Sequence, residues 1–288
     1  METKICFDSA GITLRGTLHL PEGGGARPAL IQCHGFGGSS SGAGHPELAR
    51  TLQRAGYVVL RFDFRGCGES DGQRGSVICM EEVEDLRNAI GFLARQEGVD
   101  RERIGVIGAS LGGAVVMYVA ATDQRVRVCA ASGAVGNGER RFRFQYPDEA
   151  EWKRFVQRLE EAKRTRERTG KSVMLHRYDI VLIPEDNRAG MPPGAIMEFT
   201  AETAMSMRSF NPEALVRNIA PRPLLLIHPR HDKVVPKSES EHLAAAAGQP
   251  CELHIIDTTN HFGSGDPELQ RITLDWLVRY LPVQASSG

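Results

Sequence analysis

The sequence lacks the features of a membrane or secreted protein. No apolar run approaches the roughly 20 residues that a membrane-crossing helix needs. Residues 1–14 contain no basic start followed by an apolar stretch, so no secretory signal is predicted. The charges are balanced, with 35 Lys and Arg against 36 Asp and Glu, so no global field favours nucleic acid or an anionic membrane. We therefore expect a cytoplasmic protein that binds neither.

Cysteine pairs at metal-binding spacing are also missing. The six cysteines are scattered and form no CxxC pair, which argues against a zinc site and favours free thiols in a reducing compartment. Four of them lie in or beside apolar, strand-like runs, where we expect them to be buried. These four are Cys6, Cys33, Cys129 and Cys251.

The hydrophobic pattern predicts two kinds of strand. Alternating apolar and polar residues between Ile12 and Leu20 predict a half-buried strand, after a short first strand at Ile5 and Phe7. Later apolar runs are continuous, as in strands buried on both faces of a parallel sheet. These runs cover residues 29–33, 57–62, 104–108, 126–131, 224–228 and 253–257, and helix candidates lie near 45–55, 80–96, 111–121, 238–247 and 267–281. The alternation predicts an α/β fold, with a mostly parallel central sheet and helices on both faces.

One long stretch interrupts this rhythm. Residues 136–212 contain no clear parallel-strand unit, but they include a highly charged helix over 149–171 and the Met-Pro-Pro-Gly segment 191–194. A long insertion between two core strands predicts a cap or lid, although a surface decoration without a catalytic role is the simpler alternative. We therefore divide the chain into a core domain of 1–135 and 213–283, the cap of 136–212, and a flexible tail of 284–288.

A nucleophile elbow is the most informative motif. An apolar strand ends in Gly108-Ala109-Ser110-Leu111-Gly112 and is followed by a helix, so a G-x-S-x-G motif stands in the strand–turn–helix setting that it requires. The sharp turn strains the serine backbone and leaves room only for small neighbours. A purely structural turn could carry the same letters, but the setting favours Ser110 as a nucleophile.

Five motifs together give the chain a family resemblance. They are residues 34–38 (HGFGG), 63–70 (DFRGCGES), the elbow, 231–236 (HDKVVP) and 260–262 (NHF). With them the sequence resembles the α/β-hydrolase superfamily over nearly its whole length. Within that superfamily it is similar to capped bacterial serine esterases, feruloyl-esterase-like hydrolases and dipeptidyl-peptidase-like hydrolases.

The acid and the base follow the nucleophile in the order that this fold uses. A serine hydroxyl needs a base within hydrogen-bond reach, and that base needs an orienting partner. Asp232 and His261 each follow a predicted strand, so both are expected at the same sheet edge as Ser110. Six residues compete for these roles but fit worse: His228, His231, His242, His254, Asp257 and Asp266, the last as a helix N-cap.

An oxyanion hole completes the predicted site. One donor is the backbone amide of Leu111, directly after the nucleophile, and the resemblance implies the Phe36 amide as the second. We expect His34 to shape that loop, and we expect Asp63 and Arg65 to form a pair that fixes loop shape without taking part in chemistry.

The predicted function is hydrolysis of a small-molecule carboxylic ester without metal or organic cofactor. Another acyl bond, C–C, amide or thioester, would use the same triad, and a non-catalytic binding module on a hydrolase scaffold is the alternative of another class. A homodimer is possible. Substrate contacts are expected from five cap residues: Arg141, Tyr146, His176, Tyr178 and Met205.

Overall fold

The computed structural model describes residues 1–42, 44–183, 185–188, 195–258, 261 and 265–283. The predicted segments 191–194 and 284–288 lie outside these residues. Ten strands are described: β1 (Glu2–Ser9), β2 (Ile12–His19), β3 (Arg27–Cys33), β4 (Val58–Phe62), β5 (Val99–Ala109), β6 (Val126–Ser132), β7 (Met174–His176), β8 (Glu198–Thr200), β9 (Leu224–Pro229) and β10 (Cys251–Ile256).

The helices of the described residues alternate with the strands. They are α1 (His45–Arg54), α2 (Cys79–Leu93), α3 (Leu111–Thr122), α4 (Gly138–Gln145), α5 (Glu149–Thr169), α6 (Arg177–Ile180), α7 (Glu185–Arg188), α8 (Ala201–Ser209), α9 (Ser238–Ala246) and α10 (Pro267–Tyr280). Two short 3-10 helices, Pro212–Ala214 and Val216–Ile219, precede β9.

Eight strands form one sheet in the order β1-β2-β4-β3-β5-β6-β9-β10. The β1–β2 and β2–β4 pairs are antiparallel, and every other pair in this sheet is parallel. Apolar side chains from α1 and α10 pack on one face, and those from α2, α3 and α9 pack on the other. The predicted α/β fold, with helices on both faces of a mostly parallel sheet, is therefore confirmed.

The stripe of apolar residues on α2 shows how the sequence holds such a helix on the sheet. Val83, Leu86, Ile90 and Leu93 recur at helical spacing, and all four are fully buried. Burying one such side chain contributes about 1.5–3 kcal/mol, so the stripe is sufficient to fix the helix face that meets the sheet.

Two predictions about the strands need correction. The first strand is longer than its two apolar residues suggested, because β1 pairs with β2 along all eight of its residues. Cys6, on this edge strand, is exposed, and Cys251 is only half-buried, whereas Cys33 and Cys129 are buried as expected. An edge strand has a solvent face, which a sequence run alone does not reveal.

Between β6 and β9 the chain leaves the main sheet. The described part of this insertion holds α4 to α8 and the separate antiparallel pair β7–β8. Helix α5 begins at an N-cap, where the Asp148 carboxylate accepts a hydrogen bond from the Glu151 amide, and it ends at Gly170. Its apolar side is buried as the spacing predicts, through Trp152, Phe155, Leu159 and Ala162.

Among the helices of the described ranges, none combines the length and the apolar character needed to cross a bilayer.

Candidate active site

Ser110 lies at a sharp turn between β5 and α3. Its backbone has φ 54° and ψ −120°, a conformation that is strained for any residue with a side chain. A Cβ atom at Gly108 would lie 2.3 Å from the Gly112 carbonyl oxygen, and one at Gly112 would lie 2.3 Å from the His34 carbonyl oxygen. Both glycines of the motif are therefore required by close backbone contacts.

The three predicted triad residues meet at one edge of the sheet. The Ser110 Oγ lies 2.9 Å from His261 Nε2, and His261 Nδ1 lies 2.6 Å from Asp232 Oδ2. An ionised carboxylate only accepts hydrogen bonds, so Nδ1 carries the imidazole proton and Nε2 accepts from the serine hydroxyl. This is the tautomer in which the imidazole can take up the serine proton.

Asp232 is held in place by its own loop. Its Oδ1 accepts hydrogen bonds from the backbone amides of Val234 and Val235, at 2.8 and 3.0 Å. Burial alone raises the pKa of Asp232, but the hydrogen bonds from His261 and from the two amides outweigh it and hold this pKa below its usual value. The carboxylate therefore stays charged and fixes the orientation of the His261 ring.

The competing residues lie in other local arrangements. His231 and Asp257 are exposed, with His231 Nε2 and Asp257 Oδ1 3.3 Å apart. Asp266 is the N-cap of α10, as its sequence position suggested. His228 is buried beside Asp232, with its Nε2 3.6 Å from Asp232 Oδ2, but its Nδ1 accepts from the Ser240 hydroxyl at 2.7 Å and its Nε2 donates to the Val235 carbonyl at 3.0 Å.

His242 and His254 are likewise held by local contacts. His242 Nδ1 lies 2.6 Å from the Ser238 carbonyl oxygen within α9. His254 Nε2 lies 3.5 Å from a carboxylate oxygen of Glu252 on the same strand.

The loop after β3 packs directly against the elbow. A Cβ atom at Gly35 would lie 3.1 Å from the Ser110 Cβ, and the Gly38 amide closes a turn by donating to the Gly35 carbonyl at 3.1 Å. The Phe36 amide donates no hydrogen bond to any described residue. Leu111 is the first residue of α3, where backbone amides have no acceptor within the helix. Two unused amides thus flank Ser110.

Three further residues of these motifs shape the loops. His34 Nε2 accepts from the Phe64 amide at 3.1 Å, and its Nδ1 lies 2.8 Å from the Gly35 carbonyl oxygen. The predicted pair of Asp63 with Arg65 is not formed. Asp63 accepts from the amides of Ser40 and Glu69, at 2.6 and 2.8 Å.

Arg65 instead forms an ion pair with Asp85 on α2. Its Nη2 lies 2.6 Å from Asp85 Oδ1, and the Asp85 carboxylate is fully buried. The two residues of the predicted pair therefore hold different parts of the structure.

A cavity of about 910 Å³ opens above Ser110 and His261. Residues of the insertion form much of its wall, and most of those are apolar. The described insertion residues on this wall are Gly138, Arg141, Phe142, Arg177, Val181, Ile183, Ala195, Ile196, Met207 and Phe210.

Of the five predicted cap contacts, only Arg141 lies on the cavity wall. Tyr146 donates its hydroxyl to the Asp179 carbonyl at 2.7 Å and lies outside the lining. His176 Nδ1 accepts from the Tyr178 amide at 3.3 Å, so these two residues form a local turn. Met205 is half-buried on the core and does not reach the cavity.

Arg177 is a site residue that the sequence analysis missed. It is buried at the start of α6, and its Nη2 donates to the Phe36 carbonyl at 2.8 Å while its Nη1 donates to the Ile196 carbonyl at 3.0 Å. The guanidinium also lies 5.0 Å above the Phe36 ring. An insertion residue thus holds the loop that carries the unused Phe36 amide.

The sequence model of one family, described as serine aminopeptidase, S33, matches residues 24–268. The chain belongs to this α/β-hydrolase family. Among its curated relatives is an uncharacterized 31.7 kDa protein of Escherichia coli, from the traX-finO intergenic region. That protein is 30% identical over 287 residues, which cover 95% of this chain and 97% of the relative.

Two fungal relatives of this family member carry more informative names. Thiohydrolase aneE of Aspergillus aculeatus is 30% identical over 282 residues, with 88% of this chain and 84% of the relative covered. Polyketide transferase grgF of Penicillium sp. is 27% identical over 293 residues, with 94% of each chain covered. The crystal structure of GrgF superposes with a TM-score of 0.80 at 24% identity, covering 98% of this chain and 99% of its own, and so shares the fold.

Proposed function

We propose that this protein is a serine hydrolase that cleaves a carboxylic ester through an acyl-enzyme intermediate, with Ser110 as nucleophile, His261 as base and Asp232 as orienting acid. The observation that carries the proposal is the continuous hydrogen-bond chain from Ser110 Oγ through His261 to Asp232, with links of 2.9 and 2.6 Å. Both distances lie within the range needed for proton transfer.

In the first step His261 Nε2 takes the Ser110 hydroxyl proton while Oγ attacks the ester carbonyl carbon. The resulting imidazolium is stabilised by the Asp232 carboxylate. It then gives its proton to the leaving alcohol as the carbon–oxygen bond breaks, which leaves the acyl group on Ser110.

The oxyanion of the tetrahedral intermediate would bind the amides of Phe36 and Leu111. Both amides flank Ser110, and neither has an acceptor in the described protein. Preorganised donors of this kind contribute about 3–4 kcal/mol each to the transition state. Arg177 supports this role indirectly, because it holds the Phe36 carbonyl and thereby the loop.

In the second step a water molecule replaces the alcohol. His261 removes a proton from this water, which attacks the acyl carbon, and the imidazolium returns the proton to Ser110 Oγ as the acid leaves. The site ends in its starting protonation state, so the cycle needs no cofactor.

We also propose that residues 136–212 act as a cap over a core domain of 1–135 and 213–283. The insertion supplies much of the cavity wall above Ser110, including Phe142, Ile196 and Phe210. An apolar wall at this place would bind the non-reacting part of a substrate and exclude water from the intermediate.

Thioester cleavage is the second candidate, favoured by the thiohydrolase name of a 30% identical relative. The same triad attacks either carbonyl, and the two bonds differ in the leaving group. Rates for an oxygen ester and a thioester with the same acyl chain, measured side by side, would separate these candidates.

Active-site labelling tests the proposal directly. A fluorophosphonate probe should modify Ser110 in the native protein, and Ser110→Ala should abolish this labelling. The same substitution should lower turnover of a p-nitrophenyl acyl ester by a factor of about 10⁴–10⁶. Ser209→Ala is the matched control, because Ser209 is exposed at the end of α8. A native protein that is folded but neither labelled nor active would favour the non-catalytic binding module.

A further inference from the structure

Arg141 on α4 is a buried cation, and the carboxylates of Glu239 and Asp232 act on its charge only from beyond ion-pair distance. Its exposed fraction is 3%, and Nη1 donates to the Ile180 carbonyl at 2.8 Å. Across the described ranges, no carboxylate lies within ion-pair distance of its guanidinium. The preceding residue, Arg140, differs sharply because it forms ion pairs with both Glu213 and Glu239.

The remaining donors of Arg141 face the cavity above Ser110. A guanidinium has five N–H donors, and the Ile180 carbonyl uses only one nitrogen. The Nε of Arg177 is sealed from solvent without a partner, but no nitrogen of Arg141 is sealed in this way. Since Arg141 lies on the cavity wall, its unused N–H groups are open to that space.

A buried cation of this kind is costly unless an anion joins it. Burial lowers the pKa of Arg141 to about 10, so the side chain still carries its charge at neutral pH. A bound anion would recover the ion-pair and hydrogen-bond energy that the folded protein alone leaves unused.

Other cationic groups of the wall have different roles. Arg177 already uses two nitrogens on the carbonyls of Phe36 and Ile196. Around Arg141 the wall is apolar, with Phe142, Val181 and Ile183 among its members. In this apolar part of the wall the unused donors belong to one buried guanidinium, which fits a single negative charge better than a dianionic phosphate, whereas Arg74, also on the wall, is exposed to solvent.

We propose that Arg141 binds a substrate carboxylate remote from the scissile bond, so that the preferred substrate is an ester or thioester with an apolar body and one free carboxylate. This inference rests on the proposed function, and it adds the substrate class. The planar guanidinium would hold the carboxylate through two parallel N–H···O bonds.

Matched substrates provide the kinetic test. The mono-p-nitrophenyl ester of suberic acid carries a terminal carboxylate, and its methyl-capped diester is the neutral counterpart. Arg141→Met should lower kcat/KM for the acid by roughly 10- to 100-fold, mainly through KM, and leave the neutral ester within about twofold. Arg141→Lys should keep part of the preference, because it keeps the charge but loses the planar fork.

Arg143→Met is the matched control on the same helix. Arg143 is partly exposed and pairs with Glu149 at 2.8 Å, so this variant should keep the native preference for the acid. The proposal would be overturned if Arg141→Met lowered kcat/KM equally for the acid and the neutral ester, or if its preference for the acid were unchanged.

A binding measurement separates this inference from the proposed function. In the Ser110→Ala protein, calorimetry should detect binding of monomethyl suberate. Adding Arg141→Met should weaken this binding strongly, and adding Arg141→Lys should weaken it partly. If the neutral ester is hydrolysed but the Arg141 substitutions do not change binding of the acid, the carboxylate site is refuted and the hydrolase proposal stands. If binding of the acid depends on Arg141 but no hydrolysis depends on Ser110, the hydrolase proposal is refuted and the carboxylate site stands.

Discussion

The sheet edge that carries Ser110 and the insertion that covers it are built in different ways. At the edge, each reactive group follows a strand, and its place is fixed by backbone contacts such as those of Gly108 and Gly112. In the insertion, Arg141 and Arg177 acquire their roles from long-range contacts with separate segments. The comparison teaches that local backbone geometry places the proposed reacting groups here, whereas tertiary packing places the side chains of the cavity wall.

The largest expected effect tests the edge. Asp232→Asn should lower kcat for an ester by about 10⁴, because an amide cannot hold the His261 tautomer or stabilise its imidazolium. Turnover of a p-nitrophenyl ester, with circular dichroism as a check of the fold, measures this. Asp257→Asn is the matched control at a neighbouring strand end, where the carboxylate is exposed, and it should keep native turnover.

An effect of intermediate size tests whether the two regions are separable. Arg177→Met should lower kcat by about 10- to 100-fold with little change in KM for a neutral ester, because the loop bearing the Phe36 amide loses its anchor. Arg158→Met, which removes an exposed arginine of α5 that pairs with Asp179, should leave kcat unchanged. A rise in KM alone would mean that Arg177 contacts substrate and does not position the loop.

Stability against pH provides a third test, below the sheet edge. His45 is buried where its Nδ1 accepts from Gln32 at 2.7 Å, and burial lowers its pKa to about 3. In the unfolded chain the His45 ring takes up a proton near pH 6.5, whereas in the folded protein it stays neutral. The free energy of unfolding is therefore at its full value above pH 6.5 and falls as the pH drops below it. The loss should reach about 2 kcal/mol at pH 5 from this residue.

Urea unfolding at pH 7 and pH 5 measures that loss. His45→Asn should flatten the pH dependence by about this amount, since it removes the titrating ring. His242→Asn, at an exposed position on α9, should leave the dependence unchanged. An unchanged slope in His45→Asn would show that this histidine is not a source of acid sensitivity.

The smallest effect tests the insertion alone. Asp148→Ala removes the N-cap of α5 and should lower the free energy of unfolding by about 1 kcal/mol while kcat stays native. Asp148→Asn can still accept a hydrogen bond from the Glu151 amide, so its free energy of unfolding should fall much less. A fall in kcat with Asp148→Ala would mean that α5 is coupled to the reacting groups.

The sequence predicted the fold, and the three residues proposed as a triad lie within hydrogen-bond distance of one another, because strand periodicity and the elbow are local signals. Four of the five predicted cap contacts do not line the cavity. Tyr146, an aromatic residue in the right segment, instead stacks on Phe155 and bonds to Asp179. Arg177 was missed because its partner, Phe36, lies 141 residues earlier, and no local pattern separates a buried arginine from a solvated one.

The sequence separation of 151 positions from Ser110 to His261 also has a consequence for synthesis of the protein. A nascent chain that has just completed the elbow contains Ser110 but still lacks His261, the base proposed to remove its proton. Only after β10 has joined the sheet beside β9 can the loop beyond it deliver that ring. Under the proposed mechanism, a polypeptide terminated early on the ribosome would therefore not form the acyl-enzyme.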